Sequence, residues 1–232
     1  MTIYNFDIND LIRLVKVARS SAPESVRISI NTGDLTLEQC RELKKAGVTG
    51  AYHANRMGEG VYNRLDPEVR KQTWRNMMAA GIEVSSGTEP IGPEHTMVEI
   101  VDNLFEGIEE GCLNGGVGTR LSVPGTPMGD MEMVSPKKYM YIASVLSIAT
   151  IWYQPDSELN RYRFGFAGGG NKAYAEYGGN PRDTAVRSEE NFGHTVEWCR
   201  RQLLKRGFEH ILMADGSVQD LNEDYLIKTK SV

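Results

Sequence analysis

The chain has 232 residues, with 26 Lys and Arg against 31 Asp and Glu and a formal net charge of −5. Hydrophobic residues make up 40% and charged residues 25%, which is ordinary for a globular protein and argues against disorder. The charge gives no basic stripe for nucleic acid, and no apolar run approaches the roughly 20 residues of a membrane span. The polar start is not a signal peptide. We therefore expect one soluble cytoplasmic domain over residues 1–232, with no nucleic-acid or membrane partner.

Amphipathic segments alternate with short β-branched or aromatic runs along the chain. Helices are predicted at Ile8–Arg19, Thr36–Ala46, Pro67–Ala80, Met97–Glu110, Pro136–Ala149, Glu158–Ala167 and Ser188–Arg206. Strands are predicted at Val26–Asn31, Val48–His53, Glu83–Ser86, Gly118–Val123, Thr150–Tyr153 and Lys172–Tyr177. Thr36 and Gln39 have the spacing of a capping box, and Asn9 or Asp10, together with Ser135 before Pro136, are predicted N-caps.

Glycine follows most of the predicted helices, as expected of a left-handed C-cap that leads into the next strand. The repeated strand–helix order favours an α/β fold with a parallel sheet. Six such units are fewer than the eight of a closed (β/α)8 barrel, and the first predicted element is a helix. We therefore expect a partial barrel of the triosephosphate isomerase type whose first βα units are missing.

Polar, glycine-rich loops follow the predicted strands, and in parallel βα folds these loops carry the chemistry. Several of their side chains have a structural alternative. His53 at a strand end is either a hydrogen-bonded structural histidine or a general base, and Arg56 and Glu59 either pair with each other or bind a ligand. Arg120 lies in a small, apolar predicted strand, where a buried cation needs an anionic partner.

Five segments, taken in order, resemble the biotin synthase-like branch of the radical S-adenosylmethionine (SAM) enzymes, over roughly residues 8–213. ISINTGDLTLEQCRELKKAGVTGAYH is similar to the third strand, helix and fourth strand of that family. EVSSGTEPIGPEHT is similar to its fifth-strand motif, and RLSVPGTPM to its sixth strand. YHANRMGEG and AEYGGNPRDT are most similar to methylornithine synthase and HmdB-type members.

The resemblance implies binding roles for particular residues. Arg56 would meet the carboxylate of SAM, since a planar guanidinium offers it paired hydrogen bonds. Arg120 would meet the anionic group of a small substrate, an amino acid or a cofactor precursor. The remaining implied ligands are Glu89, Ile91, Gly92 and Pro124 for SAM, and Asn31, His53 and Glu176 for substrate or ribose.

The family holds a [4Fe–4S] cluster on three closely spaced cysteines, and this sequence has no such trio. Its three cysteines, Cys40, Cys112 and Cys199, are far apart; two fall on predicted helices and Cys112 at a helix end. By resemblance, no metal ligand and no catalytic residue can be assigned, and the isolated chain should not cleave SAM.

Three interpretations of this gap stay open at the sequence level. The chain is the carboxyl-terminal part of a longer enzyme, or one half of a split enzyme whose partner supplies the cluster and docks at the Val26–Asn31 strand edge. The third is a cluster-free barrel that binds ligand without catalysis. An unrelated aldolase-type enzyme would need a Schiff-base lysine, for which Lys172 is the candidate.

Overall fold

The structure is a computed structural model that describes residues 2–3, 7–113, 115–122, 124–126, 128–150, 152–154, 161–173, 175, 195–213 and 215–228. The chain divides into two compact units. Met1–Pro90 and Met97–Gly116 form the first unit, and Ile91–Thr96 and Val117–Val232 form the second.

Strands and helices alternate through the first unit. In chain order they are β1 (Thr2–Ile3), α1 (Ile8–Ser21), β2 (Ser29–Thr32), α2 (Leu37–Ala46), β3 (Gly50–Tyr52), α3 (Pro67–Ala79), β4 (Glu83–Ser85), β5 (Thr88–Ile91) and α4 (Met97–Glu109). Strands β1 to β4 form a sheet in sequence order, and every described pairing in it is parallel. The predicted parallel α/β arrangement is therefore confirmed for this sheet.

Local signals explain where the helices of the first unit begin and end. Thr36 and Gln39 form the predicted capping box of α2, and Gly47 ends that helix with a φ of +116°. Asp66 caps α3 ahead of Pro67. The predicted cap of α1 was wrong: Asp7 caps it and accepts a hydrogen bond from the Asn9 amide.

The apolar faces of these elements bury a common core. Its largest fully buried side chains are Leu11, Ile30, Leu43, Trp74, Met77 and Ile82. The polar loops after β2, β3 and β4 follow the carboxyl ends of these parallel strands.

The second unit contains the later elements. They are β6 (Gly115–Thr119, which begins in the first unit), α5 (Pro136–Ile148), β7 (Tyr153–Gln154), α6 (Arg161–Ala167), α7 (Val196–Leu204), β8 (His210–Leu212), β9 (Val218–Asp220) and α8 (Glu223–Lys228). A second sheet has the order β5-β6-β7, and β8 and β9 form an antiparallel hairpin. Ser135 caps α5 as predicted.

Several predicted elements need correction. A short strand, β1, precedes the first helix, so the prediction that a helix comes first was wrong. β6 begins three residues before the predicted strand at 118–123 and overlaps it only at residues 118 and 119, and residues 172–173 and 175 are not strand. The rest of that last predicted strand lies outside the described residues. So do residues 158–160 and 188–194, which belong to two predicted helices.

The predicted free edge at Val26–Asn31 is also wrong. β2 pairs with β3 through Ser29 and Ile30, and with β1 through Asn31 and Thr32. β2 therefore has a described neighbour on each side and is not an edge strand of this sheet.

Candidate functional site

The loop after β3 places His53 inside the first unit rather than in an open pocket. The His53 side chain is fully buried, with Nε2 3.2 Å from Oδ1 of Asp34, which follows β2. The Trp74 indole donates to the His53 carbonyl, and the His53 amide donates to Ser85 O of β4. Burial lowers the pKa of His53, against the opposing effect of the Asp34 carboxylate, which favours the neutral ring. His53 thus holds two strand ends together.

Arg70 of α3 connects the loops that follow β2 and β3. Its Nη1 lies 3.2 Å from Asp34 Oδ1 and its Nε 3.3 Å from Glu59 Oε2, and its Nη2 donates to Ala54 O at 2.7 Å. Arg70 and Glu59 are both buried, so each charge needs the other. This network fixes the course of residues 53–59 over the strand ends.

Within residues 53–59, Arg56 has a far more accessible charged side chain than Glu59, at 39% against 1% exposed. Its guanidinium Nε donates to Glu89 Oε1 at 3.0 Å, and its Nη1 lies 3.8 Å from Glu59 Oε1. The Met57 amide donates to Glu89 O at 2.7 Å, which aligns the loop with β5. Burial lowers the pKa of Arg56, but the nearby Glu89 and Glu59 carboxylates raise it overall, so the guanidinium stays charged. With 39% of its side chain exposed, Arg56 can meet an external anion.

The second unit contains a separate ion pair built on Arg120, which directly follows β6 and is only 5% exposed. Its two terminal nitrogens bind the two carboxylate oxygens of Glu94, and Nη2 also donates to Glu132 O at 3.1 Å. The Arg120 side chain, hydrogen-bonded to Glu94, lowers the pKa of that carboxyl to about 2. The anionic partner expected of a buried arginine is therefore present within the chain.

The structure places the other predicted ligands as follows. Gly92 is buried, and a Cβ built on it would collide with the Glu94 carboxylate and the Arg120 guanidinium. Ile91 is buried and Pro124 exposed, while Asn31 is a half-buried residue of β2 paired in register with Thr2. Glu176 lies outside the described residues.

The three cysteines do not fit a cluster. Cys40 is buried in α2, where burial raises the pKa of its thiol to about 11, and Cys199 is buried in α7. Cys112 follows α4, and burial raises the pKa of its thiol to about 12. A thiolate is the form that binds iron, and the raised pKa values of Cys40 and Cys112 favour the protonated thiol at those two positions. Among the described residues, no group of three metal-ligating side chains is found.

Sequence reasoning missed three residues that complete these sites: Asp34, Arg70 and Glu94. Arg70 shares a helix face with Thr73, Trp74 and Met77, all of them buried, so the helical period places an arginine among core residues. That pattern is a readable signal for a buried ion pair. No such signal marks Glu94, because Glu89, five residues earlier in the same segment, is an equally plausible carboxylate in the sequence.

Two cavities in the first unit are lined by none of the predicted ligands. One, of about 10 Å³, is lined by residues that include Thr88 and Asn103; the other, of about 440 Å³, lies beside Lys71 and Glu106. No described helix is long and apolar enough to span a membrane.

Comparison with known proteins finds similarity to this chain both in sequence and in fold. No family model matches it. A biotin synthase from Rippkaea orientalis is 30% identical over 131 residues, which are 53% of this chain and 34% of that protein. The matched part thus spans about a third of the length of this curated relative.

Two solved structures share the fold. Methylornithine synthase (PylB) matches with a TM-score of 0.68 and 16% identity, over 87% of this chain and 63% of that protein. The FeFe-hydrogenase maturase HydG from Carboxydothermus hydrogenoformans matches with a TM-score of 0.62 and 15% identity, over 88% and 53%. Together with the sequence match, these structures confirm the family resemblance predicted from the loop motifs.

Proposed function

From its confirmed resemblance to the biotin synthase-like branch of the radical SAM enzymes, we propose that this chain is the carboxyl-terminal part of such an enzyme. It binds SAM and a small anionic substrate, an amino acid or a cofactor precursor. Its fold is a partial parallel barrel, an interpretation that rests on the β1–β4 sheet and on the fold shared with methylornithine synthase. The observation that carries the proposal is the 131-residue match to biotin synthase.

Arg56 is the residue we assign to SAM. Its charged, partly exposed guanidinium is held in place by Glu89 and Glu59, so it is oriented before ligand arrives. A carboxylate that binds Arg56 takes over part of the hydrogen bonding now made to Glu89. When bound, SAM supplies the 5′-deoxyadenosyl group of this family's radical chemistry, while the chain binds and orients its ligands.

Arg120 is the residue we assign to the anionic group of the substrate. Its guanidinium is buried, so it would attract a bound carboxylate more strongly than an exposed arginine would. A bidentate pair also fixes the orientation of a small ligand, which a reaction at one particular hydrogen requires.

The cluster would have to come from residues outside this sequence. Cys40 and Cys199 are buried in two separate helices, and Cys112 is a half-buried residue that follows a third helix, so we derive no step through a cluster held by this chain. In our proposal a further segment or a partner chain supplies the cluster ligands. The same burial supports a second candidate, a cluster-free barrel that binds ligand without catalysis.

Equilibrium binding of radiolabelled SAM to the 232-residue chain tests the proposal. We expect Arg56→Met to weaken binding by about tenfold or more, since it removes a charge-assisted hydrogen bond to the carboxylate. Arg64→Met is the matched control, because Arg64 is an exposed arginine of the same loop region. Absence of SAM binding by the parent chain, or equal losses in the two variants, would reject this assignment.

A second assay separates the two candidates. Cell extract of the source organism is depleted of this chain and then supplemented with it under reducing, anaerobic conditions. Formation of 5′-deoxyadenosine that depends on the chain and on Arg56 supports the enzyme. SAM binding with no dependence of 5′-deoxyadenosine on the chain supports the cluster-free binder.

A further inference from the structure

The Arg120 guanidinium is bound by an internal carboxylate in the manner expected for a ligand. Glu94 uses both of its oxygens on the two terminal nitrogens of Arg120, the geometry in which a free carboxylate binds arginine. The Arg120 Nε has no hydrogen-bond partner among the described residues, although it is buried. The guanidinium therefore has an Nε–H donor that neither Glu94 nor Glu132 O uses.

The Glu94 side chain is exposed to solvent on one side. About 35% of it is accessible, against 5% for the Arg120 side chain that it covers. Glu94 thus lies between a buried cation and water, in the position from which a dissolved anion would approach.

The backbone around Glu94 is fixed by bonds that do not involve its carboxylate. The Gly92 amide donates to His95 Nδ1 at 2.9 Å, and the His95 amide donates to Gly92 O at 3.2 Å. Lys138 Nζ donates to Pro93 O at 2.9 Å. The side chain can therefore leave Arg120 by rotation while the loop keeps its course.

Departure of Glu94 alone would leave a buried, uncompensated cation, which is strongly unfavourable. A second carboxylate arriving at the same place removes that penalty. We propose that the Glu94 carboxylate occupies the ligand position on Arg120, that a small carboxylate displaces it, and that Glu94 thereby sets the affinity of this site. The inference rests on the proposed role of Arg120 in binding the substrate anion.

NMR titration of the arginine Nε–H resonances with sodium acetate tests it. Sodium chloride is replaced by sodium acetate at constant ionic strength, so that only the carboxylate changes. We expect Glu94→Gln to bind acetate about tenfold more tightly than the parent chain, because an amide competes less well for a guanidinium. The Arg120 Nε–H signal should be the one that shifts.

Glu132→Gln is the matched control. It removes one negative charge from a residue whose backbone carbonyl, not its carboxylate, accepts from Arg120. We expect this variant to bind acetate within about twofold of the parent. Equal gains in Glu94→Gln and Glu132→Gln, or no gain in either, would overturn the inference.

The double variant Glu94→Gln, Arg120→Met checks that the bound acetate is on Arg120. Loss of the gain supports the inference, and its persistence overturns it. Failure of the proposed function is seen separately, as absence of SAM binding that depends on Arg56. The acetate result does not depend on SAM.

Discussion

Gly92 lies against the charged groups of Glu94 and Arg120, and a Cβ at this position would overlap both of them. We expect Gly92→Ala to lower the free energy of unfolding by about 1–3 kcal/mol, since the ion pair must shift or separate. Urea unfolding followed by circular dichroism measures the change. Gly33→Ala is the control, because nothing lies within 4 Å of a Cβ built there. Equal losses in the two variants would show that the collision with the ion pair does not determine the change in stability.

The Glu94–Arg120 pair also gives stability a pH dependence. Arg120 lowers the pKa of Glu94 from its ordinary 4.5 to about 2. A lowered acid pKa stabilises the fold above the unfolded-state value, and the stabilisation is lost as pH falls from about 5 towards 2. We expect unfolding midpoints of the parent chain to fall more steeply over this range than those of Glu94→Gln. Parallel pH profiles would contradict the assignment. Asp34 is present in both chains, so its contribution to the pH dependence cancels when the two profiles are compared.

Arg70 is the residue whose loss should cost most in the first unit. Replacing it with Met leaves the buried Glu59 and the neighbouring Asp34 without their shared cation. Breaking a buried pair in this way costs about 3–5 kcal/mol of unfolding free energy. The exposed Arg64, replaced by Met, should change stability by less than about 0.5 kcal/mol in the same urea titration. Similar losses at both positions would show that the network contributes little.

At the scale of elements, α2 depends on its capping box. The Thr36 hydroxyl accepts from the Gln39 amide at 3.3 Å, and the Gln39 side chain accepts from the Thr36 amide at 2.9 Å. Thr36→Ala should destabilise the chain by about 1 kcal/mol, whereas Thr36→Ser, which keeps the acceptor, should restore most of it. Thermal unfolding of the three chains measures this. A serine variant as unstable as the alanine variant would refute the cap.

The helices could be predicted because their signals are local. Thr36, Ser135 and Pro67 each mark a first turn, and the described helices begin at or within three residues of their predicted starts up to α6. Strands were placed less well, since a two-residue strand such as β1 carries no period of its own. β6, Gly115–Thr119, is rich in glycine, so its own sequence gives little sign of a strand. It forms a strand because it pairs with its neighbours in the sheet, whereas residues 120–122, which follow, are not strand.

The arginines of the candidate sites could be predicted from sequence, but the carboxylates that pair with them could not. Arg120 was identified because an arginine in an apolar strand needs an anion, and Arg56 because the family resemblance implies a role for it. Their partners could not be chosen from sequence: Glu89 and Glu94 lie in one short segment, and the fold decides which carboxylate meets which guanidinium. His53, an implied ligand, is instead buried against Asp34, a contact that requires β2 and β3 to be adjacent.

At the scale of the whole molecule, the cysteines predict how the chain behaves with iron. Each thiol lies in or next to a different helix, and the pKa values of Cys40 and Cys112, about 11 and 12, disfavour the thiolate at neutral pH. Anaerobic incubation of the folded chain with iron and sulfide should therefore leave less than about one iron per chain after desalting, with no cluster absorption. A Cys40→Ala, Cys112→Ala, Cys199→Ala variant should give the same iron content as the parent. If the parent chain bound four iron atoms and the variant bound none, the thiols would have to converge on a cluster. The partner or further segment that we propose would then be unnecessary.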